Sequence, residues 1–375
     1  MRIALVIAGG VDRSARERVT PALLWLIERL SARHRVAVFV LQYLDRPRTY
    51  PLLGATVHDL GSPRGVLDQY STLVSAMRRA GPFDVVHGYH ALPSGLAAAL
   101  AGRRLHVPSV VTFDSGEFVA LPEVGSGYGL QIRARHRLAV SVAARLAGRV
   151  TVCSRYQERL ARAHRVEATV VPIGVDTGRF PPPPDRTDGP PWHLLHVASQ
   201  NPVKDQTTLL QAVRLLVSRP LDVHLDLVGE DTLGGAMASL AERLDLATRI
   251  TFHGFQPTDA LAAMYQRAHL FVLSSRHEAA NVAVLEAAAS GLPTVGTFVG
   301  YLADWSPDRA IAVPPGHSTA LADAIARLLA DAPARRKLAA AAREWTVAHD
   351  ANWTARRFEE LYGELTQDPR GAPAL

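Results

Sequence analysis

Short apolar runs alternate with amphipathic stretches along the first half of the chain. The apolar runs predict strands at Arg2–Ala8, Val36–Leu41, Val57–Leu60, Asp84–His87, Ser109–Thr112 and Val150–Cys153. The helical periodicity between them predicts helices at Pro21–Leu30, Val66–Arg79, Ser94–Ala101 and Arg133–Leu146. Strands that alternate with helices at this spacing are typical of a doubly wound α/β domain built on a parallel sheet.

The same alternation starts again in the second half of the chain. Predicted strands are Trp192–Ala198, Val223–Gly229, Arg249–His253, Leu270–Ser274 and Thr294–Gly296. Predicted helices are Gln206–Val217, Met237–Leu244, Asp259–Ala268, Val282–Ser290, Ala320–Ala330, Pro333–Ala348 and Asn352–Leu365. The second half therefore predicts another domain of the same α/β class.

A proline-rich segment separates the two halves. Four consecutive prolines end at Pro184, and Pro190-Pro191 follows shortly afterwards. Such a segment is a semi-rigid spacer that cannot join the interior of a sheet, so it predicts a boundary between domains at 1–183 and 190–350. Two doubly wound domains on a stiff linker are expected to leave a cleft at the carboxyl ends of both sheets, where open α/β sheets bind ligands.

The charge of the chain narrows the classes of partner. The formal net charge is +6 and the pI is about 9.7, but the basic residues are scattered and not interleaved with aromatic residues. This argues against nucleic acid and leaves phosphorylated small molecules or peripheral contact with an anionic membrane surface. No apolar run reaches the roughly 18–20 residues of a membrane-spanning helix, and no signal-peptide pattern is present. These features predict a cytoplasmic protein.

Several cofactor classes have no support in the sequence. Cys153 is the single cysteine, and no His, Cys, Asp or Glu group has the spacing of metal ligands, so neither a metal nor another cofactor is expected. The chain lacks the Gly-x-x-x-x-Gly-Lys-Ser/Thr phosphate loop, which argues against an ATPase. It also lacks Gly-x-Gly-x-x-Gly after the first strand, which argues against a nicotinamide enzyme.

One of the two lysines lies where it could bind a phosphate. Lys204 follows the predicted strand Trp192–Ala198 and precedes a helix, whereas the other lysine is Lys337. An ammonium group in this loop can meet a diphosphate as a point charge. The ordinary alternative is an exposed loop lysine.

The segment Ser274–Val295 carries the strongest chemical pattern. A strand ends at Ser274, a polar loop carries Glu278, and Asn281 is expected to cap a helix whose free amides suit phosphate oxygens. Glu286 lies in an otherwise apolar part of that helix, where a carboxylate is unfavourable unless it accepts hydrogen bonds. The vicinal hydroxyls of a ribose would supply two donors. The alternative is a salt-bridged helix glutamate and a solvated loop glutamate.

This segment resembles the retaining glycosyltransferase family 4, whose members have the GT-B fold. The resemblance lies in two glutamates separated by seven residues, an alanine-rich helix, Gly291-Leu292-Pro293 and a Thr-Val strand. It extends over nearly the whole chain through Val171–Asp176, Val228-Gly229-Glu230 and Phe252-His253-Gly254. The family implies two Rossmann-like domains that face a central cleft, with the C-terminal helix 352–366 crossing back to the N-terminal domain.

The resemblance also implies roles for residues of the second domain. In the family, the first glutamate contacts sugar hydroxyls of the donor and the second binds the ribose, which places these roles on Glu278 and Glu286. The donor diphosphate would be bound by Lys204 and by the turn Ala280-Asn281-Val282. The family uses an arginine as well, but Ser199 stands at its position, so Arg276 is the candidate substitute.

In the first domain the resemblance is less direct. Asp84–His90 is similar to a strand end of the family, and Val110–Glu117 is similar to a segment whose histidine lies beside the transferred sugar. Asp114 stands at that position, so His90 and Asp114 are predicted to border the reaction centre, with a packing role as the alternative. Gly9-Gly10 ends the first strand and would let the backbone approach the donor phosphate or the acceptor.

The function implied by the resemblance is transfer of a sugar from a nucleotide sugar to an acceptor without a metal. Retention of configuration would follow from front-face attack, with oxygens of the leaving diphosphate helping to accept the acceptor proton. The acceptor, whether glycan, lipid or small molecule, is not indicated. Two alternatives remain: a nucleotide-sugar epimerase, and a nucleotide-sugar-binding protein without turnover, which the departures at Ser199, Asp114 and Tyr301 motivate.

Overall fold

The computed structural model describes residues 1–16, 19–42, 44–62, 65–186 and 188–367. Its strands are β1 (Arg2–Ile7), β2 (Arg35–Val40), β3 (Arg48–Leu52), β4 (Ala55–Asp59), β5 (Val85–Tyr89), β6 (Ser109–Phe113), β7 (Arg149–Val152), β8 (Thr169–Val170), β9 (Trp192–Val197), β10 (Val223–Val228), β11 (Ile250–Gly254), β12 (Leu270–Leu273), β13 (Thr294–Thr297) and β14 (Ile311–Val313). Its helices are α1 (Pro21–Ser31), α2 (Val66–Ala80), α3 (Leu96–Leu105), α4 (Ala134–Leu146), α5 (Arg155–Ala163), α6 (Gln206–Val217), α7 (Ala236–Arg243), α8 (Thr258–Arg267), α9 (Val282–Ala289), α10 (Gly300–Trp305), α11 (Ser318–Ala330), α12 (Ala332–Ala348) and α13 (Ala351–Gln367).

The chain divides into two units. The first contains residues 1–122, 127–173 and 351–375, and the second contains residues 123–126 and 174–350. The main division therefore precedes the proline-rich segment, and α13 belongs to the first unit although it follows the second in sequence.

The first unit is built on a sheet with the strand order β3-β4-β2-β1-β5-β6-β7-β8. The strands are parallel except for β3, which pairs antiparallel with β4. The direction in which strands are added to the sheet reverses between β1 and β5. The strand that follows β1 in sequence, β2, lies on one side of β1, and β5 to β8 lie on the other side. The carboxyl ends of these two strands are therefore the switch point at which such sheets bind ligands.

The edge strand β3 has no counterpart among the sequence predictions. Tyr50 and Leu52 are buried in it, while Arg48, Thr49 and Pro51 are exposed. Alternation over five residues that include a proline gives no continuous apolar run, and proline is tolerated in a strand at the sheet edge. The strand is therefore defined by its pairing with β4 and not by a pattern in its own sequence.

Helix α13 packs against the rest of the first unit through an apolar face and a buried hydrogen bond. Phe358, Leu361 and Tyr362 are part of the core that contains β1 and β2. The Tyr362 hydroxyl lies 2.6 Å from Nδ1 of His87, which burial keeps neutral by lowering its pKa to about 3. His87 therefore joins the helix to β5.

The second unit has a parallel sheet with the strand order β11-β10-β9-β12-β13-β14. On one side of β9 lie β10 and then β11, and on the other side lie β12, β13 and β14. This is the strand order of dinucleotide-binding folds. The switch point lies between β9 and β12. Apolar residues of α6 and α11 cover one face of this sheet.

The predicted pair of doubly wound parallel α/β domains is confirmed. The sequence predictions missed α5, α10, β8 and β14 besides β3. Helix α5 buries only Gln157 and Ala161, so its apolar periodicity is weak. Strand β14 has three residues, too few to show a period.

Candidate functional site

Two loops meet at the switch point of the second sheet. The loop after β9 comprises residues 198–205, and the loop after β12 comprises residues 274–281. Oγ of Ser274 donates to the carbonyl of Lys204 at 2.7 Å, and the amide of Arg276 donates to the carbonyl of Val203 at 2.7 Å. These bonds fix the two loops to each other.

Lys204 and Glu278 form an ion pair across these loops. Lys204 Nζ lies 2.6 Å from Glu278 Oε1, and Oγ of Ser275 donates to the same oxygen at 2.6 Å. Burial raises the pKa of Glu278, but the Lys204 ammonium and hydrogen bonds from Lys204, Ser275 and Asn281 outweigh it and hold the pKa below its usual range. Glu278 is therefore a carboxylate at neutral pH, with the ammonium group beside it.

Asn281 caps α9 as the sequence predicted. Its side-chain oxygen accepts the amide of Val284 at 3.1 Å, and its φ of 92° places the backbone in a conformation that asparagine adopts more readily than most residues. Val282 is the first residue of α9, and the carbonyl of Ala280 accepts the amide of Tyr301 at 3.2 Å. The N-terminus of α9 thus begins directly after the Glu278 loop and presents its first-turn amides there.

Glu286 lies one turn further along α9 and is 6% exposed. The Tyr265 hydroxyl donates to Oε2 of Glu286 at 2.8 Å. Burial raises the pKa of Glu286 to about 7, and the Tyr265 bond offsets part of this shift. The carboxyl is therefore poised to lose its proton when further hydrogen-bond donors reach it.

Arg186 braces the two helices that carry Tyr265 and Glu286. Its Nη1 donates to the carbonyls of Tyr265 (3.1 Å), Gln266 (3.0 Å) and Ala268 at the end of α8. Its Nη2 donates to the carbonyl of Ser290 at 2.9 Å, at the end of α9. One guanidinium thus satisfies carbonyls that both helix ends would otherwise leave without a partner.

Replacing Arg186 with alanine is expected to destabilise the protein by about 2–3 kcal/mol, because several partly buried carbonyls lose their donor. The melting temperature should fall by roughly 4–10 °C, measured by circular dichroism. The matched control is Arg267→Ala, which removes an exposed arginine of α8. Equal melting temperatures for the two variants would contradict the bracing role.

Ser199 and Arg276 lie in these two loops and have different surroundings. Ser199 Oγ lies 3.4 Å from Asn201 Nδ2, and the Ser199 carbonyl accepts a hydrogen bond from Gln206 at 3.2 Å. Arg276 Nε lies 2.6 Å from Asp205, the residue that caps α6, and the Arg276 side chain is 36% exposed. Arg276 therefore adds a guanidinium group to the loops that carry Lys204 and Glu278, while it anchors its own loop to α6.

The predicted residues of the first unit lie at the switch point of the first sheet. Gly9 and Gly10 follow β1, His90 follows β5, and Asp114 follows β6. Gly10 has a φ of +83°, and a Cβ at this position would lie 2.5 Å from Oγ1 of Thr20, so the glycine is required by local packing. His90 Nε2 lies 3.2 Å from Asp114 Oδ1.

The structure thus brings the predicted residues together in two groups. One group lies by the carboxyl ends of strands of the second sheet and contains Ser199, Lys204, Arg276, Glu278, Ala280, Asn281, Val282 and Glu286. The other lies by the carboxyl ends of strands of the first sheet and contains Gly9, Gly10, His90 and Asp114. Sequence reasoning assigned no role to Ser275, Tyr265, Arg186 or Glu117. Local pattern could not indicate a role for Tyr265, Glu117 or Arg186, because each has a partner 21, 26 or 104 positions away, respectively.

Two features are absent from the part of the chain that the structure describes. No three His, Cys, Asp or Glu residues there form a group that could hold a metal ion. None of the described helices combines the length and the apolar character that crossing a membrane requires.

Comparison with known families matches both halves of the chain. The model for "Glycosyl transferase 4-like domain" matches residues 19–175, and the model for "Glycosyl transferases group 1" matches residues 183–345. A D-inositol 3-phosphate glycosyltransferase of Nocardia farcinica is 29% identical over 274 residues, which cover 68% of this chain and 60% of that protein. The match therefore spans about three fifths of the relative's length.

Solved structures share the fold. Sucrose-phosphate synthase from Thermosynechococcus elongatus superposes with a TM-score of 0.79 at 22% identity, over 97% of this chain and 99% of the other. Anabaena Alr3699/HepE in complex with UDP and glucose superposes with a TM-score of 0.74 at 17% identity, over 97% and 99% of the two chains. With both halves matched by glycosyltransferase domains and the fold shared along almost its whole length, the chain belongs to the glycosyltransferases of the GT-B fold.

Proposed function

We propose that this glycosyltransferase belongs to family 4 and moves a sugar, with retention of configuration, from a nucleoside diphosphate sugar to an acceptor. The main observation that supports this proposal is the Lys204–Glu278 ion pair at 2.6 Å, which lies at the switch point beside the N-terminus of α9. This arrangement offers a cation for the diphosphate and a carboxylate for sugar hydroxyls. The neighbouring structure that contains UDP and glucose makes UDP-glucose the first donor to test.

The second unit would bind the donor through four kinds of group. Glu286 accepts hydrogen bonds from the ribose hydroxyls, and Glu278 orients the sugar. Lys204 and the first-turn amides of α9 stabilise the charge that develops on the leaving diphosphate. Arg276 adds a second positive charge in place of the arginine that Ser199 replaces. Gly9 and Gly10 in the first unit would contact the donor phosphate or the acceptor.

These protein groups make a metal unnecessary in the proposed reaction. Positive charge from Lys204, Arg276 and oriented amides performs the electrostatic task that a divalent cation performs elsewhere. Turnover in excess EDTA should therefore equal turnover in added Mg²⁺ or Mn²⁺.

The test is a matrix of donors and acceptors. The donors are UDP-glucose, UDP-N-acetylglucosamine, GDP-mannose and ADP-glucose, and the acceptor probes are water, D-inositol 3-phosphate and octyl glucoside. Binding is measured by calorimetry, turnover by release of the nucleoside diphosphate, and anomeric configuration of the product by NMR. A glycoside with the configuration of the donor is the expected result.

Other outcomes of the same matrix identify the alternatives. Release of an altered free sugar that needs no acceptor would identify an epimerase. Donor binding without turnover under all conditions would identify a binding protein and overturn the enzyme proposal. A product with the opposite anomeric configuration would contradict retention but would still support the transferase function.

We also propose that the first unit docks peripherally on an anionic membrane through α4. Between Glu123 and Glu158 the chain has six arginines and no acidic residue. Arg135, Leu138 and Arg145 are spaced by three and seven residues, so they share one face of α4, and all three are exposed, Leu138 to 64%. A helix face with basic residues around an exposed leucine complements an anionic lipid surface.

Removing this charge should weaken vesicle binding. Each basic residue contributes about 1 kcal/mol at an anionic surface, so Arg135→Gln/Arg145→Gln is expected to lower the affinity about 30-fold. Co-sedimentation with vesicles of 30% phosphatidylglycerol in phosphatidylcholine measures it, with pure phosphatidylcholine as the reference. Arg336→Gln/Arg343→Gln on α12 is the matched control, because it also removes two exposed arginines from one helix. Equal binding by both double variants would contradict the proposal.

A further inference from the structure

The loops after β5 and β6 bring a histidine and a shielded carboxylate together. His90 Nε2 and Asp114 Oδ1 are 3.2 Å apart, and the side chains are 39% and 14% exposed. The carboxylate therefore lies behind the imidazole, and the imidazole is the part that solutes can reach. The contact has an ion-pair distance but not the angle of an aligned hydrogen bond. Such bonds often become aligned only when substrate is bound.

A buried glutamate fixes the spacing of these two loops. Glu117 is 1% exposed, and it accepts the amide of Ala91 at 3.2 Å and the amide of Ser115 at 2.7 Å. Ala91 is next to His90, and Ser115 is next to Asp114. One carboxylate therefore holds both members of the pair through their neighbours.

His90 has a backbone conformation that histidine rarely adopts. Its φ of 63° and ψ of 151° lie in a region populated almost only by glycine. The surrounding backbone imposes this conformation, because the His90 amide donates to Thr112 at 2.9 Å and the His90 carbonyl accepts from Gly95 at 2.9 Å. A Cβ at Gly95 would lie 2.4 Å from that carbonyl. A histidine at a position that favours glycine indicates that the imidazole itself is used.

We propose that His90 is the general base that accepts the proton of the acceptor hydroxyl, with Asp114 and Glu117 as positioning residues. This inference rests on the proposed transferase function. The acceptor O–H proton passes to Nδ1 of His90 while the oxygen forms a bond with the anomeric carbon. The bond from that carbon to the diphosphate oxygen breaks, and its electron pair leaves with the nucleoside diphosphate. The resemblance to family 4 assigns the proton to diphosphate oxygens instead.

The groups around His90 suit this role. The Asp114 carboxylate raises the pKa of His90 above its usual range, burial opposes this, and Glu117 adds to it. Tyr89 and Cys153 also approach the pair, and burial keeps both protonated by raising their pKa values. The neutral, reactive imidazole therefore forms as the pH rises through the pKa of His90. The rate at saturating substrate should increase over the same range.

The test uses His90→Gly, because glycine fits the backbone conformation at this position. At saturating donor and acceptor, kcat should fall at least 100-fold, donor Kd should stay within threefold, and imidazole in the buffer should restore at least tenfold of the lost rate. Asp114→Asn should lower kcat about tenfold and move the acidic limb of the kcat profile to lower pH, because the charge that raises the His90 pKa is gone. The reaction is the best donor–acceptor pair of the matrix above, with water as acceptor if no other probe is active.

The outcomes separate this inference from the proposed function. If the wild type turns over while His90→Gly retains kcat within threefold, or if Asp114→Asn leaves the acidic limb in place, His90 is not the base and the transferase proposal stands. If His90→Gly does not fold, the Asp114→Asn profile decides alone. If the wild type releases no nucleoside diphosphate from any donor, both proposals fall together.

Discussion

Replacing Glu286 with alanine is expected to weaken nucleotide-sugar binding at least 100-fold. The carboxylate is proposed to accept two ribose hydroxyls, and a hydrogen bond to a charged group contributes about 1.5–3 kcal/mol. Glu286 is 6% exposed and lies on a helix of otherwise apolar residues, so water would replace these bonds poorly. Calorimetric titration with the donor that binds the wild type measures the effect.

Three variants make this result specific. Glu242→Ala removes an exposed glutamate from α7 and should leave donor Kd unchanged. Glu286→Gln keeps an acceptor for the Tyr265 hydroxyl and should bind between the wild type and Glu286→Ala. Tyr265→Phe removes the protein's own donor and should leave most of the affinity. Unchanged affinity in Glu286→Ala would remove the ribose role.

The same carboxyl should make donor affinity depend on pH. Its pKa in the free protein is about 7, so below pH 7 donor binding must displace a proton, and Kd should rise tenfold for each unit of pH below 7. The affinity of Glu286→Gln should not change over the same range. This effect appears in donor Kd, whereas that of His90 appears in kcat, so the two titrations can be measured separately.

Stability should change in the opposite sense. The pKa of Glu286 rises from 4.5 to about 7 on folding, so the folded state keeps a proton that the unfolded state loses between these values. The contribution of Glu286 to stability therefore decreases as the pH rises from 4.5 to 7, by about 3 kcal/mol in total. Glu286→Gln should consequently melt at a higher temperature than the wild type at pH 8.

Replacing Lys204 with alanine is expected to lower kcat 100- to 1000-fold, the usual cost of removing one preorganised group that stabilises a developing negative charge. The Lys204 ammonium lies 2.6 Å from Glu278 and shares its loop cluster with the amides of α9. Release of the nucleoside diphosphate at saturating donor measures the effect. Lys337→Ala is the matched control, because Lys337 is the other lysine of the chain and is exposed.

The ion pair requires a second control. Lys204→Ala leaves the mostly buried Glu278 carboxylate without its cation, which destabilises the fold and could lower the rate indirectly. The double variant Lys204→Ala/Glu278→Gln removes both charges and should regain most of the stability. If it also regains wild-type kcat, Lys204 acts only as the partner of Glu278 and not on the diphosphate.

Most strands and helices of the second unit could be predicted from the sequence, although their order in the sheet could not. Strands such as Leu270–Leu273 are continuous apolar runs because both of their faces are covered, and Asn281 signals the start of α9 by its type and position. Glu278, Glu286 and Lys204 were found because each departs from its local context or matches a motif. In contrast, β3 was missed because an edge strand that is half exposed shows no continuous run.

The sequence by itself determined the fold class, the loops that follow the strands and the residue types available in those loops. Local preference and hydrophobic period suffice for these, because strands and helices form from neighbouring residues and parallel strands place their loops at one edge. Only the tertiary structure decided the partners: Lys204 with Glu278, Tyr265 with Glu286, Arg186 across two helix ends, and Glu117 behind His90 and Asp114. The physical reason is that burial and charge act between residues distant in sequence. The state of each carboxylate, ionised at Glu278 and poised near neutrality at Glu286, therefore follows from which groups the fold brings beside it.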